Sequence, residues 1–100
     1  MSKKLSFDQV ITAHLKTLEQ YVPIVARVHG KSHPEFHEVH KLFTAINEKI
    51  KAAGSEKPEL DHEFQELRKV TADYTVPGDV CESYEAVYRM LAELDEAYRA

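Results

Sequence analysis

Apolar residues recur along this chain at three- and four-residue steps, in four runs separated by glycines. The first run is Phe7, Ile11, Leu15, Leu18, Val22, Val25 and Val28; the second is Phe36, Val39, Phe43, Ile46 and Ile50. Leu60, Phe64, Leu67, Val70 and Tyr74 form the third, and Cys81, Tyr84, Val87 or Tyr88, Leu91, Leu94 and Tyr98 the fourth. This is the period of a helix with one apolar stripe, not the alternation of a half-buried strand. Start signals agree. Ser6 followed by Gln9, Ser32 by Glu35 and Asp79 by Glu82 each set a side-chain acceptor three residues before a partner for the open helix end. Ser55 ahead of Pro58 offers a further start, because proline in a first turn loses no hydrogen bond.

The pattern predicts four helices beginning near residues 6, 33, 56 and 79. Gly30, Gly54 and Gly78 mark short connections, and short connections make sequential helices antiparallel. The expected fold is all-α, an up-down-up-down four-helix bundle forming a single helical domain over residues 1–100. Pro23 is the discordant residue and predicts a bend near Val22.

Composition narrows the function classes. Glycine and proline are scarce, at three and four residues, which suits helices better than the many turns of a β fold. The formal charge is −4 and no dense Lys/Arg cluster exists, which argues against nucleic-acid binding. No apolar run approaches the roughly 20 residues of a membrane span. The opening "MSKKLSFDQV" has no apolar signal-peptide core. A cytoplasmic protein without membrane association is expected. The single cysteine, Cys81, shares the fourth apolar stripe and is expected to be buried and slow to react.

Candidate chemistry concentrates in "VHGKSHPEFHEVH", residues 28 to 40, which holds four of the six histidines. On a helix starting near His33, His33, His37 and His40 would line one stripe, roughly 115° from the apolar one. Such a stripe is more often solvated than metal-binding, and "HEVH" lacks the spacing of the zinc-protease signature. His14 and His29 fall on or beside the first apolar stripe. They read as histidines at the edge of the core or as ligands projecting into a bundle. No nucleophile elbow and no phosphate-binding loop is present, so no enzymatic reaction is indicated.

Two blocks resemble a known family. "YVPIVARVHGKSHPEFHEVHKLF" (21–43) and "LRKVTADYTVPGDVCESYEAVYRMLAELD" (67–95) are similar to passages of the hemerythrin-like di-iron proteins that repair iron–sulfur clusters. Together they cover about half the chain. The resemblance implies a hemerythrin-like bundle whose inward histidines and carboxylates hold iron, with His29 keeping the ligand of the "VHG" passage. The family's early histidine aligns with Asp8, after Phe7, with His14 as the substitute. Its next pair aligns with Ala53 and Lys57, which cannot coordinate iron, and Lys57 would point a positive charge at the site. His62 lies near the position of a further histidine, and the last ligand pair would fall after Asp95.

The resemblance thus implies metal through His29, Asp8 and His14, with iron as the cofactor but a full di-iron centre in the monomer doubtful. It further implies an accessory role in iron–sulfur cluster repair or the stress response that needs it. Expected partners are a full-length family member, iron–sulfur proteins or a second copy. The alternative is a metal-free helical module for protein–protein interaction, and a redox or metal-delivery role through Cys81 and the histidines is a third reading.

Overall fold

The computed structural model describes residues 6–54 and 56–100, which leaves Ser55 outside the described residues. Four helices account for most of them: α1 (Phe7–His29), α2 (Glu35–Ala53), α3 (Asp61–Val70) and α4 (Glu82–Arg99), with no strand among the described residues. The start of α1 is the predicted one. The Ser6 hydroxyl accepts from the Gln9 backbone N–H at 3.2 Å, and the Gln9 side chain accepts from the Ser6 backbone at 2.9 Å. The helix runs without interruption through Pro23, which is exposed, so water can meet the carbonyl that loses its partner.

The other starts differ from expectation. Pro34 precedes α2 and Ser32 does not cap it. The residue before α4 is Cys81, whose side chain makes no cap bond, and the Asp79 carboxylate is engaged by His33 instead. The third helix begins at Asp61 rather than near residue 56. Pro58 disfavours helical backbone at Lys57, and the approach to α3 is pinned to the end of α4. The Leu60 N–H donates to the Tyr98 hydroxyl at 2.8 Å, and the Lys57 ammonium donates to the Tyr98 carbonyl at 2.8 Å.

The stripes meet in one core that includes Leu18, Val22, Phe36, Ile46, Phe64, Leu67, Tyr84 and Leu91, all essentially inaccessible to solvent. Two expected core members lie outside it. Val28 is 63% exposed and Cys81 is exposed, because the first sits in the last turn of α1 and the second precedes the first turn of α4, beyond the packed interior. The helix α1 packs on both α2 and α4, and α2 packs on α3. Contacts from Phe7 to Tyr98, His14 to Glu93 and His29 to Cys81 follow one another along α1 and α4, so these two run in opposite directions.

The α3–α4 region is tied by charge. Asp95 is fully buried, and its carboxylate accepts from Arg68 at 2.7 and 2.8 Å, from Arg99 at 3.1 Å and from the Tyr74 hydroxyl at 2.8 Å. The Asp95 bond raises the pKa of Arg68, so the guanidinium stays charged. Between the two helices, Ala72, Asp73 and Tyr74 take φ values of 52°, 60° and 61°, a left-handed turn without glycine.

Candidate functional site

The richest cluster of reactive side chains lies where α1 ends and α4 begins. A compact corner builds it. The His29 carbonyl accepts from His33 N–H at 2.8 Å, and the His33 carbonyl accepts from Phe36 N–H at 2.9 Å, so the chain reverses within a few residues. Gly30 is required there, since a Cβ would run into the Ala26 carbonyl and the His37 ring.

At this corner the His29 Nε2 lies 3.1 Å from the Cys81 Sγ, which joins the end of α1 to the start of α4. His29 also sets its ring edge-to-face against Tyr84, with centroids 5.4 Å apart. His33 packs on Tyr84 as well, at 5.5 Å. Its two ring nitrogens are occupied, Nδ1 by Glu35 and Nε2 by Asp79, each at 3.1 Å. Below them, the Tyr84 and Tyr88 hydroxyls lie 3.2 Å apart in the core. Burial raises the pKa of both phenols, which favours the neutral form. The floor of the corner is therefore aromatic and uncharged, and its rim carries Glu35 and Asp79, the two carboxylates on His33.

The three residues expected to bind metal do not converge. Asp8 is exposed in the first turn of α1. His14 is half-buried and bonded to Glu93 at 2.5 Å. At 1.5 Å rise per residue, His14 lies about 9 Å from Asp8 along the axis and about 22 Å from His29. Lys57 does not point toward a shared metal position, because its ammonium is held by the Tyr98 carbonyl and lies 4.6 Å from the Tyr98 ring centre. His62 is exposed on α3. The expected stripe of three histidines is broken, since His33 precedes α2 and turns to Glu35 and Asp79. His37 and His40 line a shallow depression with Thr44 and Glu48. Among the described residues, no three histidine, cysteine, aspartate or glutamate side chains gather closely enough to hold a metal ion. The residues present do not fit a di-iron centre. The His29–Cys81 corner supplies two donors.

Two features escaped the sequence reading. The partnership of Cys81 with His29 depends on the α1–α4 pairing, and no local signal announces it. Asp95 was legible, since Leu91, Asp95 and Tyr98 fall at i, i+4 and i+7 and so place a carboxylate on the buried stripe.

No protein-family model and no solved structure matches the chain.

Proposed function

We propose that the chain is an up-down-up-down, hemerythrin-like bundle of the iron–sulfur-repair type. In this reading it acts as an accessory in iron-centre maintenance and not as a di-iron protein. The observation that carries this reading is the His29–Cys81 contact. It joins the two segments in which the family resemblance resides, 21–43 and 67–95, at the one histidine that keeps a ligand's position. The scatter of Asp8 and His14 along α1 supports the loss of the dinuclear cage. Iron then engages at most one position per chain, through His29. Iron–sulfur proteins or a full-length family member are the partners.

Metal analysis with absorption spectroscopy tests this, on protein purified anaerobically from iron-supplemented cells beside a His29→Ala variant. The expected result is no more than one iron per chain, lost in the variant. Two irons per chain, with the bands of a bridged ferric pair, would overturn it.

A second reading has an observation of its own. Ile24 and Val28 are 47% and 63% exposed, one helical turn apart on α1. A metal-free interaction module would use such a patch to dock a partner helix.

A further inference from the structure

We infer that the corner of α1 and α4 is half of a tetrahedral site for a thiophilic divalent metal, completed by His29 and Cys81 of a second copy of this chain. The inference does not depend on the family reading, since it uses the two donors and their surroundings alone.

The geometry suits a chelate. With metal–sulfur and metal–nitrogen bonds of about 2.3 and 2.05 Å at a tetrahedral angle, the two donor atoms stand about 3.6 Å apart. The observed separation is 3.1 Å, so the pair must open by about half an ångström. Cys81 is exposed in a turn that makes no cap bond through its side chain, and it can supply that movement. Thiolate and imidazole together select soft or borderline ions such as zinc, cobalt(II) or iron(II) over magnesium and calcium. Binding displaces the thiol proton to solvent and forms a metal–sulfur bond with no change in oxidation state.

Among the described residues no third histidine, cysteine or carboxylate gathers with His29 and Cys81 to complete the site. His33 is the nearest further imidazole, with its ring centre 6.5 Å from that of His29, and both its nitrogens already face carboxylates. Two donors leave a tetrahedral ion half satisfied, and a two-fold axis through the metal supplies the other two.

The surface beside the corner fits a second copy. Ile24 and Val28 are the two strongly exposed large apolar residues among those described. At 100° per residue, Val28 and Ile24 lie about 40° and about 80° around α1 from His14, whose ring reaches Glu93 of α4. The apolar pair therefore flanks the α1–α4 seam that ends in His29 and Cys81. The ion's double charge is matched by the two thiolates that bind it, so the shared site is neutral and leaves each chain's formal charge of −4 unchanged.

Cobalt(II) titration of the reduced protein, read by absorption and by light scattering after size exclusion, tests the inference. Thiolate-to-cobalt charge transfer and intense tetrahedral d–d bands should saturate at one metal per two chains, with the mass doubling in parallel. Cys81→Ser and His29→Ala should each weaken binding by more than the 10- to 100-fold that follows loss of an outer-shell partner. Both should also abolish metal-induced dimerisation, with helical circular dichroism retained. His62→Ala, on the exposed face of α3, should behave as the parent. Saturation at one metal per chain without a change of mass, or cobalt spectra lacking the thiolate band, would overturn the inference. So would full binding by Cys81→Ser.

Discussion

Ala72, Asp73 and Tyr74 occupy the left-handed region in succession, where an L-residue is strained by about 1–2 kcal/mol relative to its right-handed form. The turn persists because its polar groups are used. The Thr71 hydroxyl accepts from the Tyr74 N–H at 2.8 Å, Asp73 N–H donates to the Arg68 carbonyl at 2.7 Å, and the Tyr74 hydroxyl is held by buried Asp95. Ala72 contributes no buried surface, being exposed. Ala72→Gly should therefore stabilise the fold. Relief of left-handed strain outweighs the roughly 0.5–1 kcal/mol entropic cost of glycine, for a net gain of about 0.5–1 kcal/mol. At about 4–8 °C per kcal/mol for a domain of this size, thermal denaturation should shift upward by a few degrees. Ala72→Val, with a branched Cβ, should shift it downward. An unchanged or lower midpoint for the glycine variant would show that this turn is not strained.

Among the elements, the α1–α2 corner depends on the absence of one side chain. A Cβ at Gly30 meets a backbone carbonyl, Ala26 O, and the ring of His37; only the ring can move away cheaply. Gly30→Ala should cost about 1–3 kcal/mol, the usual range for overpacking, read as a lower midpoint in chemical denaturation. Adding His37→Ala should recover part of that loss, because it removes one of the two obstructions. The same corner marks what was legible in the sequence. Periodicity located all four helices, and Ser6 and Gln9 located the first start, because these signals act over a few residues. The third and fourth starts lie later than expected because tertiary contacts hold the residues before them. Asp79 turned to His33, and Tyr98 captured the segment before α3. Cys81 was assigned to the core by extending a stripe one residue past the start of α4, where the bundle does not cover it. The contact that defines the candidate site joins residues 52 positions apart, which only the packing of α1 on α4 brings together.

At the scale of the whole molecule, stability at the pH extremes is set by groups that the fold holds in one ionisation state. On the acid side, burial opposes ionisation of Glu63, but its 2.6 Å bond to Lys49, a backbone hydrogen bond and the Lys49 charge outweigh this and lower its pKa. That contribution is present above the ordinary value of 4.5 and is lost as pH falls through the lower folded value. On the alkaline side the sign is reversed. Burial, then the bond to Asp95, raises the pKa of Tyr74; burial, then the bond to Tyr88, raises that of Tyr84; burial also raises that of Tyr88. A group whose folded pKa lies above its unfolded value stabilises fully below the latter, here 10.0, and loses that effect as pH climbs through the folded value. These three phenols should therefore remain protonated above pH 10 while the bundle is intact, and ionise only as it unfolds. Absorbance at about 295 nm and ellipticity at about 222 nm, followed together, should show part of the tyrosine ionisation coinciding with loss of helix. Tyr74→Phe separates the contributions. It removes a hydrogen bond to a buried charge, costing about 1.5–3 kcal/mol at neutral pH, and it should also flatten the alkaline fall because one raised phenol is gone. Ionisation of all five tyrosines with the helical signal unchanged would contradict the burial of Tyr84 and Tyr88 beneath the candidate site, and with it the apolar floor on which His29 and His33 rest.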